Sequence, residues 1–211
     1  MTSSDGQLQK KIDELWSRQE IYDCLMRYCR GGDRLDAELM GSAYHPDAIE
    51  EHGKFVGPAA EFVEFAVRQH AETHLTHQHY VMNHHCELDG DTAHSETYFM
   101  FVAMHKHGDK VMQVGGGRYL DRFERRNGKW AIAYRLVLRD WAMMEERPDM
   151  NDLSAFTSTR ASLPPEVLAF MNGGPGPRRD RSDPSYERPL VADPERVAAY
   201  RRLMQELEGR K

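Results

Sequence analysis

Two periods of apolar residues divide the chain. From Leu8 to Cys29, Leu8, Ile12, Leu15, Trp16, Tyr22, Leu25, Met26 and Cys29 fall at helical spacing, which predicts one helix with a single buried stripe, ended by Gly31-Gly32. A second helix is expected from Leu35 to Tyr44 and is stopped by His45-Pro46-Asp47. Ala48 to Val56 suits a short hairpin turning at His52-Gly53. Pro58 then suits the first turn of a third helix, with Phe62, Val63, Phe65, Ala66 and Val67 inward. From His77 the period becomes two, and strands are expected over His77–Leu88, Thr92–His105, Val111–Arg126 and Trp130–Trp141. Asn127-Gly128 between the last two is a strong hairpin signal, because both turn positions need positive φ. Helices followed by a long antiparallel meander make an α+β protein: a curved antiparallel sheet, packed against three N-terminal helices and curling into a cone with an open mouth.

Beyond residue 145 the pattern weakens. Ser162 to Leu168 suits the start of a short helix, and Gly173-Gly174-Pro175-Gly176-Pro177 and the charged run to Pro189 have linker composition. Helical spacing returns from Pro194 to Leu207. The expected division is a domain over 1–145 and an extension over 146–211 that packs on its own or a neighbouring subunit.

Composition narrows the function classes. The 211 residues are 40% hydrophobic, enough for one ordinary core. No apolar run has the length of a membrane span and the N-terminus lacks a basic region followed by an apolar one, so a soluble cytoplasmic protein is expected. A net charge of -6 argues against a nucleic-acid partner despite the cluster Arg178, Arg179 and Arg181. The three cysteines, Cys24, Cys29 and Cys86, form no paired motif and read as buried thiols.

Candidate chemistry sits in His77-Gln78-His79-Tyr80-Val81-Met82-Asn83. Alternation puts His79, Val81 and Asn83 on one face, where a wholly apolar core would not want two polar side chains. Upstream, Tyr28-Cys29-Arg30-Gly31-Gly32-Asp33 presents a phenol and a carboxylate at a helix end. If Asp36 caps the second helix, Asp33 is left to orient His79 as a base across a pocket. Tyr28 could donate to a leaving oxygen. Candidate substrate contacts are Asn83, Arg135, Tyr119, Met82, Phe101, His105 and Trp141, a largely apolar set suited to an aromatic or polycyclic ligand. Arg135 and Asp140 have opposite parity on the last strand, so only one should face inward. His70 and His74, four apart on the third helix, raise the question of a metal. There is no His-Glu-x-x-His motif, and a solvated helix end is the plainer reading; no metal and no cofactor is expected.

The run Tyr28-Cys29-Arg30-Gly31-Gly32-Asp33-Arg34-Leu35-Asp36, then His45-Pro46-Asp47-Ala48, His79-Tyr80-Val81-Met82-Asn83 and Gly90-Asp91-Thr92-Ala93 resembles a SnoaL-like domain of the nuclear transport factor 2-like superfamily. The closing Arg118 to Trp130 and Arg135 to Trp141 extend the resemblance over roughly residues 8 to 141. Within it the chain is similar to scytalone dehydratase, bile acid 7α-dehydratase and hexachlorocyclohexane dehydrochlorinase. That likeness implies a cofactor-free lyase, a trimer, and a dyad falling on Asp33 and His79 with Tyr28 beside it. Water loss from an aromatic or polycyclic alcohol is the favoured reaction. Alternatives are carbon-carbon cleavage releasing formaldehyde from a lignin-type diaryl compound, isomerisation or cyclisation, and a non-catalytic binding or oligomer-forming role.

Overall fold

The computed structural model describes residues 3–106, 111–146, 164–173, 178–189 and 191–209. The chain divides into two compact units, Met1–Pro148 and Asp149–Lys211. The first contains helices α1 (Ser3–Asp33), α2 (Ala37–Gly41) and α3 (Ala59–Thr73) and strands β1 (Tyr44–His52), β2 (Phe55–Pro58), β3 (His74–Asp89), β4 (Thr92–His105), β5 (Val111–Arg126) and β6 (Lys129–Glu146). The second contains α4 (Pro165–Asn172), a 3-10 turn at Pro184–Tyr186 and α5 (Pro194–Glu208). Within it Arg196 lies over the Phe170 ring and donates to the Phe170 carbonyl, joining α5 to α4.

The six strands form one sheet in the order β2-β1-β6-β5-β4-β3. The meander from β3 to β6 is antiparallel as the alternation requires, and Asn127 and Gly128 take positive φ at its last turn. The sheet as a whole is mixed, because β1 lies parallel to β6. The architecture is α+β with the sheet not closed, as the resemblance leads one to expect. Ile21, Cys24, Leu25 and Tyr28 of α1 and Phe62 and Val63 of α3 pack with Phe99, Tyr119, Phe123, Trp130 and Ile132 of the sheet in one core. All three cysteines are buried free thiols, and burial pushes that of Cys29 up to about 12.

Two features of α1 differ from the pattern. The helix begins before Leu8, but burial starts only at Ser17, and Leu15 and Trp16 stay 68% and 65% exposed. Only the second half of the apolar stripe meets the core. At the other end the helix continues through Gly31-Gly32 to Asp33 instead of stopping there. The reason for Gly31 is proximity: a Cβ at this position would lie 2.3 Å from the Met40 backbone nitrogen, so only glycine lets α2 cross so close. The second helix is correspondingly shorter than expected, and His45-Pro46-Asp47 already belongs to β1.

Candidate active site

The extra helical turn carries Asp33 to the edge of β3. Asp36 accepts a hydrogen bond from the Leu39 amide and so caps α2, which leaves Asp33 available. Asp33 Oδ1 lies 2.7 Å from His79 Nδ1, and the His79 amide donates to Oδ1 and Oδ2 at 3.1 and 3.2 Å. One carboxylate thus holds both the ring and the backbone of the same residue. With Nδ1–H donating to Asp33, Nε2 carries the ring's lone pair, and Nε2 makes no hydrogen bond among the described residues. The side chains are largely shielded, at 9% exposure for His79 and 15% for Asp33. His77 Nε2 binds the Gly32 carbonyl at 3.0 Å, a second tie between β3 and the end of α1.

His79 lines a cavity of about 420 Å³. Tyr28, Phe62, Phe65, Phe99, Phe101 and Tyr119 are among the lining residues, so a cluster of aromatic rings forms part of its wall. The Phe101 ring is 4.8 Å and the Tyr28 ring 6.2 Å from the His79 ring, and Tyr119 stacks on Phe99 at 4.3 Å. His105 and Trp141 also border the cavity, Trp141 with its indole against Gly116, where a Cβ would come within 2.6 Å of the ring. Burial holds the hydroxyls of Tyr28 and Tyr119 well above the usual phenol pKa, so both are neutral donors near neutral pH.

Of the expected contacts, Tyr28, Tyr119, Phe101, His105 and Trp141 line the cavity beside His79, and Met82, Asn83 and Arg135 do not. Between Val81, opposite Phe99, and His84, opposite Thr97, β3 carries one extra residue. This bulge breaks the alternation, and Met82 and Asn83 are both exposed. Arg135 points inward as its parity allows but lies beneath the cavity wall. It pairs bidentately with Asp121 at 2.6 and 2.8 Å, both side chains fully buried, and its guanidinium is 4.3 Å from the ring centroids of Tyr28 and Tyr119. Asp140 faces out and pairs with Arg118. Next to this pair, Tyr44 donates to buried Glu50, which also meets His52. Burial keeps the His52 imidazole below its usual pKa.

Two groups could be asked to hold a metal, His70 with His74 and His77, and Asp33 with His77 and His79; in each the donor atoms lie within 4.8 Å of one another. His70 and His77 stack at 4.1 Å with 21° between their planes, which confines their in-plane lone pairs to two separate, nearly parallel planes, a poor arrangement for meeting at one ion. His70 and His74 face each other through Nδ1 atoms 3.0 Å apart, which a hydrogen bond satisfies.

The sequence reading missed Met40, His52, Lys54, Gln113 and Arg139 as lining residues and treated Phe62 and Phe65 as core alone. The inward period of α3 contained the phenylalanines. Nothing in the hairpin Gly53-Lys54 signals that it borders a cavity.

Fold and site together define a nuclear transport factor 2-like cone in which a histidine on the cavity wall is held from behind by Asp33. Residues 13–136 match the model of the SnoaL-like domain, and the chain belongs to that family. No match was found among curated proteins. Among solved structures, a protein of unknown function from Mycobacterium tuberculosis is 25% identical, with a TM-score of 0.53 over 61% of this chain and 75% of that one. A hexachlorocyclohexane dehydrochlorinase from Novosphingobium barchaimii is 19% identical, with a TM-score of 0.59 over 64% and 94%. A protein described as a putative scytalone dehydratase from Novosphingobium aromaticivorans is 11% identical, with a TM-score of 0.57 over 65% and 95%. At the last two identities the likeness is one of fold. Among the described residues, no helix is long and apolar enough to cross a membrane.

Proposed function

We propose that the protein is a cofactor-independent lyase acting on an apolar aromatic or polycyclic alcohol. Nε2 of neutral His79 takes a proton from carbon next to an activating group. The electron pair left behind forms a carbon-carbon double bond as the carbon-oxygen bond breaks. Asp33 stabilises the resulting imidazolium, and the departing hydroxide takes a proton from Tyr28 or from His79 and leaves as water. A positioned base of this kind supplies about 10²- to 10⁴-fold in rate. The observation that carries the reading is the 2.7 Å contact by which Asp33, behind the cavity lining, holds His79, which borders the cavity. Dehydratases and dehydrochlorinases among the solved structures of similar fold agree with a proton-abstracting elimination.

The test is a screen of aromatic secondary alcohols, without added cofactor, for the absorbance of a newly conjugated product, with His79→Ala as control. Turnover by the wild-type protein and its loss in a folded His79→Ala variant are expected. Equal turnover in the two would remove His79 from the mechanism and the proposal with it.

A further inference from the structure

The charges around the cavity are one-sided. The protein has 34 acidic and 28 basic side chains besides its histidines, yet no Asp or Glu is among the described residues lining the cavity. Lys54 and Arg139 are, together with His52, His70, His74, His79 and His105. Arg139 stands out among the arginines of β5 and β6. Arg118 pairs with Asp140 and Glu96, Arg122 with Glu124, Arg125 with Asp91, Arg126 with Asp47 and Glu124, and Arg135 with Asp121. Arg139 has no carboxylate partner among the described residues, and neither has Lys54, whose ammonium lies 5.5 Å from the centroid of the Phe65 ring on the cavity wall. Two cations with no carboxylate partner among the described residues, beside a cavity on an acidic protein, are complementary to a ligand that brings its own negative charge.

Position adds a length. His79, Phe101, Gly115 and Ala142 form one row of paired residues across β3, β4, β5 and β6. Three inter-strand spacings of about 4.8 Å put the β6 end of that row roughly 14 Å from His79 along the sheet, and less across the curve. Arg139 lies just beyond Trp141 on that strand, and β1 runs alongside it, with His52 opposite Val137 and Lys54 in the turn that follows. The cations and the base therefore sit at opposite sides of the cavity.

We propose that the substrate is an aromatic carboxylate whose acid group seats against Arg139 and Lys54 while its reacting carbon lies at His79, the two separated by more than one ring. This rests on the lyase reading for what happens at His79, but the anion site is tested by binding alone. The full chain is titrated calorimetrically with biphenyl-4-carboxylate and with the uncharged biphenyl-4-methanol. The carboxylate binds about tenfold tighter, as one charge-assisted contact at a partly exposed site would give, and the preference shrinks as salt is raised. In Arg139→Gln the ratio of the two affinities falls to near one, and in Lys54→Gln it falls severalfold; both side chains are exposed, and melting temperatures check that the folds are kept. His79→Ala retains the wild-type ratio. Equal affinities in the wild-type protein, or an unchanged ratio in Arg139→Gln, would overturn the anion site. A preserved ratio with no turnover of any aromatic alcohol, acid-bearing ones included, would instead count against the lyase reading and leave the anion site standing.

Discussion

At the scale of single residues, the dyad is a division of labour between two nitrogens and one carboxylate. Asp33 fixes the proton on Nδ1 of His79 and so keeps Nε2 basic, and the same carboxylate pins the strand through the His79 amide. Asp33→Asn removes the charge that stabilises the imidazolium and can turn an amide N–H toward Nδ1, which favours the wrong tautomer. We expect kcat to fall about 10²- to 10⁴-fold in steady-state assays, with circular dichroism unchanged. Tyr28→Phe deletes a hydroxyl from a ring whose packing stays, so the expected loss is smaller, about tenfold in kcat with little change in melting temperature. Burial also raises the hydroxyl pKa of Tyr28, Tyr44 and Tyr119 in the folded state. Groups whose folded pKa is raised contribute stability in full below their unfolded value, near 10 for a phenol, and lose it as pH climbs toward the folded value. Thermal melts across pH should therefore show a steep fall above about pH 10; a flat profile to pH 11 would mean the three phenols titrate as they do in the unfolded chain.

Elements, more than residues, separate what was readable in the sequence from what was not. The strands of the meander were legible because period-two alternation persists over many residues, and Asn127-Gly128 has little use except as a tight hairpin. His79 was legible because polar residues share its strand face with an aliphatic one, and its pairing with Asp33 because the family resemblance implies a dyad of a helix-end carboxylate and a strand histidine. The bulge that turns Asn83 outward, where Met82 already points by parity, leaves no local mark, since an extra residue in a strand is defined only by its partner. Parity placed Arg135 inward and made it a candidate ligand contact; its buried partner Asp121 comes from a neighbouring strand and could not be read locally. The parallel pairing of β1 with β6 likewise depends on distant chain. Gly31-Gly32 was read as a stop, yet the two glycines have different duties. A methyl at Gly31 meets the backbone of Met40 at 2.3 Å, whereas at Gly32 its nearest contact is His79 Cε1 at an ordinary 3.7 Å. Gly31→Ala should cost about 1–3 kcal/mol in denaturant unfolding and lower activity by shifting the turn that carries Asp33. Gly32→Ala should be within about 0.5 kcal/mol of wild type or slightly more stable, helix propensity favouring alanine.

On the scale of the whole molecule, the outer face of the sheet poses the remaining question. Tyr80, Met82 and Tyr98 expose 44%, 49% and 40% of their surface on β3 and β4, on the side away from the cavity. Alternation would ordinarily place polar residues there, as it does with Arg118, Arg122 and Asp140 on β5 and β6. A group of exposed apolar and aromatic side chains on neighbouring strands suits burial against a second copy of the chain, in keeping with the trimer that the family resemblance implies. We therefore expect light scattering after size exclusion to give a multiple of the 24.4 kDa chain mass, with three favoured. Tyr98→Glu would place a charge in the middle of that patch, where pairing would desolvate it, and should shift the population to 24.4 kDa without lowering the affinity of the cavity for an aromatic ligand. A wild-type protein that runs at the single-chain mass at all concentrations would assign the patch no role in self-association. In that event His79, Asp33 and Tyr28 would still stand together, because the hydrogen bonds that join the end of α1 to β3, and the rings packed on Tyr28 and His79, all belong to one chain.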